Sequence, residues 1–268
     1  MQKEIYFHKV KFKYFSNSLG TFKTINSNEP RSVEFALNLQ NLGIVNFLDI
    51  GSSFGVWTLP FLQKGKADQR NVFVLSVDAH HLSCVDLYKN ASLNDLNTEN
   101  LIIFNSAVGL KNGLTTLYFP KYASNMGSVA NKNNTRRLFN QEIEIPIVDI
   151  NFFVEAFKPD LIKIDIEGID LRVAARISEL LFAVKVISVE VTPTNLSKSG
   201  EKLLDIITTK YPYIIPITKE IENNKSNVDV STVRELINIC QNTRKTNVFF
   251  FKDKNTALSA KDLINSYQ

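Results

Sequence analysis

From Val45 onward, short runs of β-branched and aromatic residues alternate with segments of helical periodicity, and this alternation constrains the possible folds more than any other feature. The strand-like runs are Val45–Ile50, Val72–Val77, Leu101–Ser106, Leu161–Ile166, Lys185–Val191, Tyr213–Ile217 and Asn247–Lys252. The helical segments are Phe54–Lys64, His80–Asn94, Ile150–Phe157, Gly168–Leu181 and Gly200–Lys210. Strands that alternate with helices predict right-handed crossovers and a mostly parallel α/β sheet with helices on both faces.

Three segments interrupt this rhythm and suggest the domain organisation. We expect residues 1–40 to form a hairpin and a helix packed on the core. Residues 41–268 are then one domain with insertions at about 113–148 and 219–245. Long insertions in compact domains often carry binding loops, so acceptor specificity is expected there.

The first insertion contains two strand-like runs, Thr115–Phe119 and Glu142–Val148, around the polar stretch Ser124–Asn140, which we expect to be a loop. The second begins as a polar loop and continues as a helix near Val230–Cys240.

Composition excludes several classes of protein. The net charge of +4 is too small to indicate a nucleic-acid partner, and the alternating stretch Lys9–Tyr14 is typical of a half-buried strand with a solvated lysine face. No apolar run approaches the roughly 20 residues that span a bilayer, and no secretory leader is visible, which favours the cytoplasm. Two cysteines, Cys84 and Cys240, and three histidines provide neither a disulfide framework nor a metal site.

The first predicted strand ends in a glycine-rich turn, Asp49-Ile-Gly-Ser-Ser-Phe-Gly55, followed by a helix. Gly51 allows a sharp turn, and Gly55 allows close approach of backbone and ligand. Asp49 can accept hydrogen bonds from the turn or from a ligand ammonium group. Taken alone, the motif also fits an ordinary strand–helix connection.

The second strand ends at Asp78, where a carboxylate can accept hydrogen bonds from both hydroxyls of a ribose or can cap the following helix. A dinucleotide site requires three glycines, but Ser53 stands where the second should be. S-adenosylmethionine (SAM) has no pyrophosphate, so it fits this turn better. The small residues of Asn105-Ser-Ala-Val-Gly109, after the third strand, can leave room for an adenine ring.

Together these segments resemble the FkbM family of SAM-dependent methyltransferases. The most specific block is Leu161-Ile-Lys-Ile-Asp-Ile-Glu-Gly168, followed by Ile169-Asp-Leu171, and Ser188-Val-Glu-Val191 matches the family's acidic strand end. The resemblance covers about residues 45–195. It implies a Rossmann-like sheet of seven strands with an antiparallel last strand, SAM as methyl donor, and O-methylation of a hydroxyl on a sugar, glycolipid or related natural product. The candidate cofactor-binding residues are Asp49, Gly51, Ser52, Gly55, Asp78, Ala79, Ser106 and Ala107.

Three acidic residues are the catalytic candidates. Asp165 and Glu167 follow the fourth strand and Glu190 ends the fifth, at the edge where parallel α/β sheets bind ligands. We expect Asp165 to lie nearest the reacting centre, as the base or as the partner of the methionine ammonium group. Glu167 is the second candidate base and Glu190 orients the acceptor. Lys163 is expected either to take part in the site or to form a buried ion pair with Glu190 or Asp165.

Residues that contact the acceptor are predicted with less support from the pattern. We place His80, Asn125 and Ser128 there, although His80 and His81 also suit the start of an amphipathic helix. Two other functions remain open: an RNA ribose 2′-O-methyltransferase using Lys163, Asp165, Lys185 and Glu190, and a non-catalytic nucleoside-binding scaffold. Asp165 and Glu190 are also compatible with a divalent ion, although no metal cluster is visible. Trp57 is expected in the core.

Overall fold

The structure of the chain is a computed structural model, and it describes residues 4–13, 29–96, 99–119, 141–166, 168–180, 184–223, 227–243 and 245–266. Three predicted site residues, Glu167, Asn125 and Ser128, lie outside the described residues, as does the predicted loop Ser124–Asn140.

A central sheet of seven strands organises the molecule. In chain order its strands are β3 (Asn46–Ile50), β4 (Phe73–Asp78), β5 (Leu101–Asn105), β9 (Leu161–Ile164), β10 (Val186–Val191), β11 (Tyr213–Ile217) and β12 (Thr246–Phe251). Their spatial order is β11-β12-β10-β9-β3-β4-β5. The strand β12 runs antiparallel to both neighbours, whereas the pairs from β10 to β5 are parallel. The predicted seven-stranded sheet with an antiparallel last strand is therefore confirmed.

Helices cover both faces of this sheet. They are α1 (Pro30–Asn38), α2 (Thr58–Ala67), α3 (His81–Ser92), α4 (Ile150–Phe157), α5 (Asp170–Glu179), α6 (Lys198–Lys210), α7 (Lys219–Glu222), α8 (Val233–Gln241) and α9 (Lys254–Asn265). Because side chains alternate along a strand, neighbouring residues enter different cores. Phe47 and Phe249 pack under α1, α2 and α9, whereas Leu48 and Phe250 pack under α4, α5, α6 and α8.

Two smaller sheets accompany the central one. Before the first core strand, β1 (Glu4–Phe7) and β2 (Val10–Lys13) form an antiparallel hairpin. Between β5 and β9, β6 (Ala107–Gly109), β7 (Gly113–Phe119) and β8 (Gln141–Asp149) form a second sheet in the order β6-β8-β7. The sequence indicated β7 and β8 but not β6, a three-residue strand that begins two residues after β5 ends.

The largest errors in the predicted element boundaries occur where the chain turns at the site. The predicted helix from Phe54 begins only at Thr58, because Ser53 (φ 50°) and Gly55 (φ 96°) adopt left-handed backbone that a helix cannot contain. The strand predicted to reach Ile166 ends at Ile164, after which the Ile166 N–H donates to Asp170 Oδ1. Among the residues that the structure describes, no helix combines the length and apolarity needed to cross a lipid bilayer.

Candidate active site

The glycine turn after β3 joins two neighbouring strand ends. Gly51 has φ 75°, and a Cβ added to it would lie 1.9 Å from the carbonyl oxygen of Asp165. The Gly51 N–H donates to the carbonyl of Val77 at 2.8 Å, so the turn also contacts the end of β4. Only glycine fits this position. Because the turn contacts the ends of both β9 and β4, it lies at the centre of the carboxyl edge, our name for the carboxyl ends of β4, β3, β9 and β10.

Gly55, in contrast, serves the packing of two helices. A Cβ at this position would approach Leu59 to 2.9 Å and Leu87 to 3.2 Å. These leucines belong to α2 and α3. On the side that a Cβ would occupy, Gly55 faces side chains of the core, and its predicted close approach to a ligand stays a prediction.

Asp78 ends β4 beside the turn and its carboxylate is already oriented. Oδ2 accepts the Ser53 N–H and Oδ1 accepts the His80 N–H, each at 2.8 Å. Burial raises the pKa of Asp78 to about 6, although these two N–H donors lower it. Each oxygen retains acceptor capacity, so a pair of hydroxyl groups can still bind here.

Several buried polar atoms near Asp78 have no hydrogen-bond partner. They are Ser52 Oγ, Ser53 Oγ, Ser106 Oγ and both ring nitrogens of His80. Burial lowers the pKa of His80 to about 4, so its ring is neutral at physiological pH. Because unpartnered buried polar groups are costly, their concentration beside Asp78 fits a site that is completed by a polar ligand. The SAM molecule, with its hydroxyl, amino and carboxylate groups, fits this set of donors and acceptors.

Ala79 and Ala107 lie in an apolar environment. Ala107 is buried against Leu117 and Ile145 of the second sheet, and Ala79 packs on the same cluster. These small residues therefore lie where the central sheet meets β7 and β8.

Asp49 lies below the turn and is fully buried. Its side chain is 0% exposed, and its Oδ2 accepts a 2.7 Å hydrogen bond from the Thr58 hydroxyl, which also contacts Ser76 Oγ at 2.6 Å. Burial raises the pKa of Asp49, and Lys163 opposes this effect. Its carboxylate thus contacts groups inside the protein, and the predicted contact with a ligand ammonium group stays a prediction.

Lys163 connects the glycine turn with a catalytic candidate. Its Nζ donates to the Gly51 carbonyl at 2.9 Å and lies 3.4 Å from both Asp49 Oδ1 and Asp165 Oδ2. Burial disfavours the ammonium charge, but Asp165 and Asp49 outweigh it and keep the pKa of Lys163 above its usual value. Of the two ion pairs considered from the sequence, the pair with Asp165 is present, whereas Glu190 pairs with another lysine.

Asp165 and Glu190 lie at the carboxyl edge on neighbouring strands. The Asp165 side chain is 37% exposed, and its backbone N–H donates to Ile50 at the end of β3. Glu190 is 17% exposed and pairs with Lys245 at 2.8 Å. Burial raises the pKa of Glu190 to about 7, and the nearby Asp165 adds to the rise while Lys245 opposes it. The two acids therefore differ in exposure and in their cationic partners.

Two further residues of this region, Glu29 and Lys245, could not be predicted from the sequence. Lys245 pairs with Glu190 at 2.8 Å and with Glu29 at 2.5 Å. Neither belongs to a recognisable motif, and only the tertiary fold brings them together. Within the described parts of the chain, no group of three potential ligands could hold a metal ion.

The turn after β3, the acid that ends β4 and the strand order define a Rossmann-like methyltransferase. Residues 49–215 match the methyltransferase FkbM domain family, which is more than half of the chain. The chain therefore belongs to the FkbM family of methyltransferases, and its cofactor is SAM. The resemblance inferred from the motifs is thereby confirmed.

Comparison with other proteins adds two kinds of result. No curated protein sequence matches the chain significantly. A SAM-dependent methyltransferase from Agrobacterium tumefaciens is structurally similar, with 10% identity, a TM-score of 0.47, and coverage of 94% of this chain and 70% of that one. A tRNA (uracil-54, C5)-methyltransferase from Pyrococcus abyssi, solved with S-adenosyl-L-homocysteine, has 10% identity, a TM-score of 0.46, and coverage of 93% and 43%.

Proposed function

We propose that this protein is a cytoplasmic SAM-dependent O-methyltransferase that acts on a hydroxyl group of a sugar, glycolipid or related natural product. The observation that carries this proposal is the position of Glu190 beside Asp165 at the carboxyl edge. The free, buried thiols of Cys84 and Cys240 are consistent with a reducing compartment.

The turn and the end of β4 are the proposed cofactor-binding residues. Asp78 accepts the ribose hydroxyls, since its carboxylate is held by two backbone N–H groups and has free lone pairs. Ser52 and Ser106 offer hydroxyls without partners. Asp165 is the acid that is open enough to receive the methionine ammonium group. Gly51 and Lys163 hold the turn beside it.

When bound, SAM supplies an activated methyl group on a sulfonium. The protein then has to place an acceptor oxygen in line with that methyl group and remove a proton from it. A carboxylate whose pKa is near the working pH is best suited to accept this proton, and the pKa of Glu190 is about 7. We therefore assign the base to Glu190 and the ammonium contact to Asp165. From the sequence alone, Asp165 was the first candidate base and Glu190 was expected to orient the acceptor.

An RNA 2′-O-methyltransferase remains the second candidate, but one observation weighs against it. Of the four residues that this reading required, Lys185 pairs with Asp160 at 2.8 Å and donates to Gly43. Those partners precede β9 and β3, at the opposite edge of the sheet from Asp165 and Glu190. The set of Lys163, Asp165, Lys185 and Glu190 therefore does not assemble.

The decisive experiment combines binding and turnover. Calorimetry with S-adenosyl-L-homocysteine measures cofactor binding, and transfer of labelled methyl from SAM is then followed across panels of sugars, glycolipids and RNA. Labelled product whose methyl group NMR assigns to a sugar or natural-product oxygen supports the proposal. Salt-sensitive RNA binding with label in RNA would favour the second candidate. Cofactor binding without transfer to any acceptor would favour a scaffold.

A further inference from the structure

Glu190 is held by a single lysine that also binds a second carboxylate. Lys245 Nζ lies 2.8 Å from Glu190 Oε2 and 2.5 Å from Glu29 Oε1. We call this set of three residues the Glu29–Lys245–Glu190 bridge. Its outer two carboxylates are partly shielded, at 13% and 17% exposure, whereas the ammonium side chain is 46% exposed.

Two members of the bridge come from outside the segment that matches the family. Glu29 is the residue before α1, and its φ of 59° is a left-handed backbone conformation that residues other than glycine rarely adopt. Lys245 lies immediately before β12, and 216 positions separate it from Glu29. The family match covers residues 49–215, so only Glu190 belongs to it. The bridge therefore joins two residues from outside the family-matched segment to a catalytic candidate within it.

The charges around Glu190 are unbalanced. Asp165 faces it from the end of β9, and Lys163 lies behind Asp165 at 3.4 Å. Arg31, near Glu29, is already paired with Glu34 at 2.6 Å. The two neighbouring groups of ion pairs therefore contain more carboxylates than ammonium groups: the carboxylates are Asp49, Asp165, Glu190 and Glu29, and the ammonium groups are Lys163 and Lys245.

We propose that Lys245 and Glu29 are positioning residues for the base: Lys245 fixes the Glu190 carboxylate and favours its ionised form, and Glu29 shares the ammonium group and weakens that effect. The inference rests on the proposed role of Glu190 in proton removal. A lysine bound only to Glu190 would keep that acid strongly ionised and make it a poor base. Competition from Glu29 leaves Glu190 able both to accept and to release a proton near neutral pH.

The two outer residues of the bridge therefore have opposite effects on Glu190, which makes the inference testable without an acceptor. The full-length protein is labelled with ¹³C at glutamate Cδ and titrated by NMR, and the signal missing from Glu190→Gln assigns Glu190. Burial and Asp165 raise the pKa of Glu190 to about 7 in the unmodified chain. Lys245→Met should raise it further, because the opposing cation is lost. Glu29→Gln should lower it, because Lys245 then serves Glu190 alone.

Control variants separate this effect from general damage to the fold. Lys261 pairs with Asp229 on the surface at 3.1 Å, so Lys261→Met removes a lysine and should leave the Glu190 signal unchanged. Lys245→Arg keeps the charge and should restore a pKa close to that of the original protein. If Lys245→Met does not fold, Glu29→Gln and Lys245→Arg carry the test.

Shifts in the same direction for Lys245→Met and Glu29→Gln, or no shift in Glu29→Gln, would overturn the inference. The NMR titration requires neither SAM nor an acceptor, so its failure is distinct from a failure of the proposed function. Conversely, the expected opposite shifts combined with absent methyl transfer would leave the bridge intact and reject the role of Glu190 as a base.

Discussion

The two halves of the site are assembled in different ways. The proposed cofactor half consists of the turn after β3 and the acid that ends β4, and backbone groups hold it: Asp78 accepts the N–H groups of Ser53 and His80. The proposed acceptor half, around Glu190, is held by side chains from remote parts of the chain, Lys245 and Glu29. A local backbone arrangement is readable from sequence and resistant to change, whereas a side-chain network can be retuned by single substitutions.

The largest expected effect is on turnover, and it isolates the acceptor half. Glu190→Gln keeps the shape of the side chain but cannot accept a proton, so kcat should fall by about 10²- to 10⁴-fold. The Kd for S-adenosyl-L-homocysteine should change little, because the cofactor half is intact. The matched variant Glu179→Gln, on the exposed end of α5, should retain full turnover. A near-normal kcat in Glu190→Gln would contradict the assignment of Glu190 as the base.

The next largest effect should be on stability, at Lys163, which connects the two halves. Lys163→Met leaves Asp49 buried without its cationic partner, and breaking such a pair costs about 3–5 kcal/mol of unfolding free energy. Lys185→Met, which breaks a half-exposed pair with Asp160, should cost about 1 kcal/mol or less. Urea denaturation compares the two variants. Equal losses of stability would contradict the central role that we give to Lys163.

A smaller effect should be confined to the cofactor half. Asp78→Asn removes the charge that accepts the ribose hydroxyls, and hydrogen bonds to charged groups contribute about 1.5–3 kcal/mol. We therefore expect about a 10- to 100-fold weaker Kd for S-adenosyl-L-homocysteine in calorimetry. Asp68→Asn, on the surface at the end of α2, provides the control. Unchanged affinity in Asp78→Asn would mean that the ribose binds elsewhere.

The pH dependence of cofactor binding should report on the cofactor half, through the ionisation of Asp78. Because burial raises the pKa of Asp78 to about 6, the ionised acceptor is complete above that pH and is lost below it. Affinity for S-adenosyl-L-homocysteine should therefore be constant above about pH 7 and fall about tenfold by pH 5. The binding profile of Asp78→Asn should be flatter. A wild-type profile without a decrease on the acidic side would contradict the assignment.

What the sequence predicted follows the same division. The alternation of apolar strands and helices was enough to predict the central sheet, because the strands buried on both faces are continuous apolar runs. The positions of Gly51 and Asp78 at the carboxyl edge could be predicted because the required geometry leaves a local signature. The packing of Gly55 against Leu59 and the hydrogen bond of Asp49 with Thr58 could not, since neither contact leaves a signature in the sequence. Glu29 and Lys245 meet only through the tertiary fold.

The reversed direction of β12 has a consequence for how such an enzyme can change its substrate. Parallel strands deliver to the carboxyl edge only the residues that follow them, whereas an antiparallel strand delivers the residues that precede it. The connection entering β12 thus reaches the acid at the end of β10 from the opposite chain direction. A change in this late connection can thus alter the surroundings of Glu190 while the order of the parallel strands stays as it is.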